Sequence, residues 1–121
     1  MMQILLEVAM IDPDWVSESP LAVSVCDVQG VLLSMNTREA ALLADMGGEE
    51  NLGRNIYDCH NALSCAMLDE MLSQQKGEVY TVEENGKTEL VIHAPWYQDG
   101  RFSGLVEIVL ELGGPIPHIR R

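Results

Sequence analysis

The segment Ile56-Tyr57-Asp58-Cys59-His60-Asn61 places a thiol beside an imidazole. A neutral imidazole is the commonest metal ligand near neutral pH, and a thiolate supplies a second ligand or a nucleophile. Cys65 is the next candidate donor along the chain. A structural zinc site needs four donors; side chains one residue apart on a helix diverge by about 100°, and no second Cys/His cluster completes the set. His60 therefore stands either as a lone ligand or as a residue that caps and packs at the entry to a helix.

Other chemistry finds less support. The chain has no phosphate-cradling glycine loop, no His-Glu zinc helix and no nucleophile elbow, so it is expected not to be an enzyme. Cys26 lies in a β-rich run and reads as core. The adjacent pairs Glu49-Glu50 and Glu83-Glu84 read as solvated surface. His93 alternates with Glu89 and Val91, opposite Leu90, Ile92 and Ala94, and is expected to face outward.

The elements that must position these groups form one domain. With 47% hydrophobic and 21% charged residues, 121 residues suffice for a single compact core. The net charge is -12, and seven scattered cationic side chains cannot form the basic surface that a phosphate backbone or an anionic membrane requires. Direct nucleic-acid and membrane contact are set aside. Three unevenly spaced cysteines argue against a secreted disulfide scaffold, and the apolar start lacks a basic flank, carries Glu7 and stops at Asp12-Pro13. A cytoplasmic location is the expectation.

Apolar residues Ile4, Leu5, Val8 and Ile11 form a helix-like stripe, predicting an N-terminal helical cap over residues 1–18 that Pro13 interrupts. Leu21 to Asp27 and Val31 to Met35 predict a hairpin turning at Gln29-Gly30. Asn36 or Thr37 caps a helix that Gly47-Gly48 ends. A longer helix runs from about Asn61 to Lys76, with Leu63, Met67 and Met71 at every fourth position and Gly77 as its terminator. Three strands follow: Val79 to Glu84, Thr88 to Trp96 after the Asn85-Gly86 turn, and Phe102 to Leu112 after Asp99-Gly100. In the last strand the set Val106, Ile108, Leu110 and Leu112 is expected to face the core, leaving Leu105, Glu107, Val109 and Glu111 outside.

These features describe an α+β domain over residues 19–112 followed by a tail, 113–121. That stretch resembles the PAS family, the sensory box. The likeness rests on Ser19-Pro20, Asp27 with Gly30, Asn36 opening the first helix, Leu52-Gly53-Arg54-Asn55-Ile56 before the long helix, and Asp99-Gly100 with Gly104 before the last strand. It is nearest to a bacterial subgroup with a Cys-His pair before the long helix, usually followed by two prolines; Asn61-Ala62 stand there in this chain.

The resemblance implies a five-stranded antiparallel sheet in the order 2-1-5-4-3 with helices on one face and a ligand pocket between them. It implies signal transduction by a small apolar ligand, or by haem ligated through His60, with regulation of transcription through another protein. The pocket residues so implied are Cys59, His60, Met67, Met71 and Met35. Flavin photochemistry is disfavoured, because Ile56-Tyr57-Asp58 occupies the place of the flavin photoreceptors' Asn-Cys-Arg-Phe motif. Glu39 falls where photoactive yellow protein has a chromophore-contacting acid, but Met35 replaces its tyrosine. The alternative function is a ligand-free module for homodimerisation or other protein contacts. A homodimer is expected from the N-terminal stripe and a half-apolar outer sheet face, with signalling in trans, since only Gly113 to Arg121 follow the last strand.

Overall fold

The computed structural model describes residues 13–121, the Cys59 side chain excepted. The expected N-terminal helix falls mainly on residues 1–12, outside the described residues. Five strands, β1 (Ala22–Asp27), β2 (Leu32–Met35), β3 (Val79–Glu84), β4 (Lys87–Gln98) and β5 (Arg101–Leu112), form one antiparallel sheet. Its order is β2-β1-β5-β4-β3, as the resemblance implies. Asn85-Gly86 and Asp99-Gly100, all four residues at positive φ, make the two hairpin turns.

Between β2 and β3 lie helices α1 (Thr37–Leu42) and α2 (Ala62–Gln74), with short 3-10 turns at Ala44–Met46, Gly48–Asn51 and Ile56–Cys59. The Asn36 side chain opens α1 and ties it to the sheet. Its Oδ1 accepts from Val23 N and Glu39 N, both at 3.0 Å, and its Nδ2 donates to Val16 O at 2.8 Å and Leu21 O at 2.7 Å. All four hydrogen-bonding positions of this buried amide are filled.

The first helix is shorter than its apolar composition suggests. The backbone tightens into 3-10 turns after Leu42, and the left-handed Gly47 and Gly48 complete the stop. The second helix ends on Gln75 at φ 55, not on Gly77. Gly77 serves a different purpose: a Cβ there would lie 1.8 Å from His93 O, so it permits close approach to β4. Gly104 is similar, since a Cβ on it would lie 1.9 Å from Cys26 O.

Helix α2 packs Leu68 and Met71 onto Cys26 and Leu105, and Met71 is 2% exposed. Each such apolar side chain contributes about 2 kcal/mol of burial. Leu63, expected on the same stripe, is 71% exposed. A four-residue step overshoots one turn by about 40°, so two such steps carry Leu63 off the face that Met71 occupies.

The largest correction concerns the faces of the sheet. Leu105, not Val106 or Ile108, enters the core, at 2% exposure, and Leu110 is exposed. Pairing places Cys26 opposite Leu105, Ser24 opposite Glu107 and His93 opposite Glu107. The set Leu105, Glu107 and Val109 therefore faces the helices, and His93 faces inward with it. Period-two alternation separates two sets of side chains but leaves the choice of face to packing. The more polar set was selected here, because it borders a cavity as well as the core.

Candidate functional site

The loop after α1 is sewn to the first hairpin, which determines where His60 stands. Leu32 N donates to Arg54 O at 2.9 Å, Gly53 N to Leu32 O at 2.8 Å, and Ile56 N to Gly30 O at 2.9 Å. Asn55 then caps the turn Ile56–Cys59 through Tyr57 N, and Asn61 caps α2 through Ser64 N. The His60 Nδ1 lies 2.7 Å from Ile56 O. A carbonyl only accepts, so Nδ1 is the donor in this contact. The Cys65 thiol adds weak bonds to Tyr57 O at 3.5 Å and His60 O at 3.6 Å.

Enclosed by this loop, α1 and the sheet is a cavity of about 580 Å³. Leu32, Leu43, Met46 and Ile56 supply apolar wall; Ser24, Glu39, Asn51, Arg54, Asn55, His60 and Glu107 supply polar groups. A space of this size with a few convergent polar groups is typical of a small-molecule site. His60 also borders a smaller hollow of about 100 Å³ under α2, with Ser64, Met67, Leu68, Met71, Tyr80 and His93.

The residues expected at a site are thus partly assembled. His60 borders both spaces, while Met67 and Met71 line only the smaller. Met35 is half-buried on β2 and lines neither space. The Cys59 side chain lies outside the described residues. Cys26 belongs to the core, where burial pushes its thiol pKa up.

Charged and titratable groups on the inner face form the rest of the site. Glu39 is 7% exposed, and its Oε2 is buried without a hydrogen-bond partner. Burial, then the charges of Glu107 and Glu89, pushes its pKa up to about 7. Glu107 retains 31% of its side-chain surface, and burial followed by Glu89 raises its pKa as well. These three carboxylates also border an adjoining hollow of about 390 Å³ with Tyr80 and Glu84.

His93 Nε2 stands 3.0 Å from Tyr80 Oη and 3.4 Å from Glu107 Oε2, and its ring stacks on Tyr80. Burial first and His60 second lower its pKa to about 4. Glu107 and His93 shift in the directions opposite to those of an ion pair, so burial outweighs any attraction between them. None of Glu39, Glu107 and His93 was singled out as an inward polar cluster by the sequence. Glu107 and His93 were legible only as a shared face of two adjoining strands, and that face was assigned outward.

No protein-family model matches the chain, and no curated protein matches it. Solved structures do. A sensory box sensor histidine kinase from Vibrio cholerae is 14% identical with a TM-score of 0.62, covering 92% of this chain and 93% of that one. The PAS domain of BvgS from Bordetella pertussis is 17% identical with a TM-score of 0.62, covering 94% and 89%. The Aer2 receptor from Vibrio cholerae, described as a dual PAS-haem oxygen sensor, is 12% identical with a TM-score of 0.60, covering 76% and 94%. The chain has the PAS fold. Among the described residues, no helix is long and apolar enough to cross a membrane.

Proposed function

We propose that this chain is a cytoplasmic sensory domain that holds a small molecule in the 580 Å³ cavity. Occupancy is passed on through protein contacts, with a partner in trans and with a second copy of the chain. The observation that carries this reading is the cavity itself, apolar along Leu32, Leu43, Met46 and Ile56 and polar at a few convergent points. The sensor kinase and oxygen sensor among its structural neighbours support signalling as the use of such a site. His60, at the junction of the two spaces, is the proposed relay to Met67 and Met71 on α2.

Haem, the cofactor implied through His60, would have to meet the lining of this cavity. The Nδ1 bond to a carbonyl orients the imidazole as a metal-bound histidine is oriented. The walls fit poorly. Glu39 and Glu107 face the space, and among the described residues Arg54 is its only lining Lys or Arg, whereas haem brings carboxylates of its own. The residues do not fit haem. Adding haem to the purified protein checks this directly: no Soret band is expected, and a strong one abolished by His60→Ala would reverse the assignment.

For the ligand reading itself, native mass spectrometry of freshly purified protein should show a bound species that is lost on unfolding. Leu43→Trp, which fills the cavity, should reduce it. A wild-type mass unaltered by unfolding, together with no shift of cavity resonances across a metabolite library, would overturn the reading. The alternative, a ligand-free dimerisation module, draws on the outer sheet face, where Leu90, Ile92, Val106, Ile108 and the exposed Leu110 form an apolar surface.

A further inference from the structure

The cavity is open to a more specific reading, which rests on its being a ligand site. Glu39 reaches it from α1 and Glu107 from β5, and the Glu39 Oε2 is a buried acceptor with no donor beside it. A buried acceptor left unsatisfied is destabilising, and far more so when charged. Such an atom, more than nine-tenths buried and bordering a ligand-sized space, calls for a donor from whatever enters.

The surroundings narrow the class of donor. Facing Glu39 are Glu107 on β5 and Glu89 on β4, with Glu84 and Tyr80 of β3 around the adjoining hollow. His93 lies beyond Glu107, and Arg54 and His60 border the cavity from the loop. Glu39 and Glu107 line the cavity and Glu89 acts on Glu39 from the adjoining hollow, while among the described residues the one guanidinium at the cavity is that of the exposed Arg54. A carboxylate or phosphate ligand would meet like charges there.

We propose that the cavity binds a small organic cation, a protonated amine or amidine on an apolar body, with its N–H groups donated to Glu39 and Glu107. The apolar body lies along Leu32, Leu43 and Ile56. Charge-assisted hydrogen bonds of this kind are about twice as strong as neutral ones. Cation binding also requires Glu39 to be ionised. Since its pKa in the protein is about 7, occupancy releases a proton, and affinity should rise about tenfold between pH 6 and pH 8.

Three size-matched probes test this: 2-phenylethylamine, 3-phenylpropanamide and 3-phenylpropionate, titrated at millimolar concentration against amide resonances of Leu43, Glu39 and Glu107. The amine should bind about tenfold or more tightly than the other two. Its affinity should rise with pH as stated, and Glu39→Gln should remove both the pH dependence and about tenfold of affinity, leaving the amide probe unaffected. Glu107→Gln provides a second variant should the first fold poorly. If the neutral or anionic probe binds as tightly as the amine, the cation inference is overturned and the ligand site stands. If none of the three moves cavity resonances, the cation inference is overturned, while the ligand reading is decided separately by native mass spectrometry and the metabolite library.

Discussion

Replacing Glu39 by glutamine should stabilise the protein in alkali and change little in acid. The carboxyl is 7% exposed, and its pKa rises from 4.5 to about 7 on folding. Between these values the folded chain keeps a proton that the unfolded chain has released. The contribution of this carboxyl to stability is therefore fully present below pH 4.5 and is lost as pH rises towards 7, after which the deficit is constant. At about 1.4 kcal/mol per pH unit, the deficit is about 3 kcal/mol. Glutamine keeps the shape without the charge, so Glu39→Gln should exceed wild type by about 2 to 3 kcal/mol at pH 8 and match it within about 0.5 kcal/mol at pH 4. Urea unfolding at the two pH values, followed by tryptophan fluorescence, measures the difference. A gain that is the same at both pH values, or a loss at pH 8, would refute the argument. Part of the effect is the charge of Glu107, so combining Glu39→Gln with Glu107→Gln should give less than the sum of the two.

Asn36→Ala removes four hydrogen bonds at once and should destabilise by about 3 to 4 kcal/mol in the same unfolding assay; a loss below about 1 kcal/mol would mean that water replaces the amide. The His93 ring should remain neutral in an NMR titration until about pH 4, and a midpoint near 6.5 would show that it is solvated or paired with ionised Glu107. Deleting residues 1–12, which leaves the Asn36 bond to Val16 in place, should lower the mass seen by light scattering from dimer to monomer. An unchanged dimer would move the interface away from that segment.

Much of the architecture was legible in the sequence because its signals are local. Asn85-Gly86 and Asp99-Gly100 demand positive φ and therefore turns. Asn36 caps α1 through Glu39, three residues on, and Asn61 caps α2 through Ser64. Strand order followed from likeness to a known family, and pairing has borne it out. The stitching of Gly53, Arg54 and Ile56 to the first hairpin explains why that loop motif precedes the long helix.

The functional face was decided only by tertiary structure. Alternation along β4 and β5 sorts His93 and Glu107 from their neighbours, but apolar content pointed to the wrong set for the interior. A strand lining a polar cavity breaks the rule that the more hydrophobic face turns inward. Likewise nothing within a few residues of Glu39 marks it as a buried acid, since its burial and its raised pKa come from β4 and β5, dozens of residues away. Local chemistry determined where the chain turns and which helices begin where. The sign of the sheet, the cavity and the protonation of its walls arose from groups that meet only when the chain is folded, because desolvation and Coulomb repulsion act through space and not along sequence.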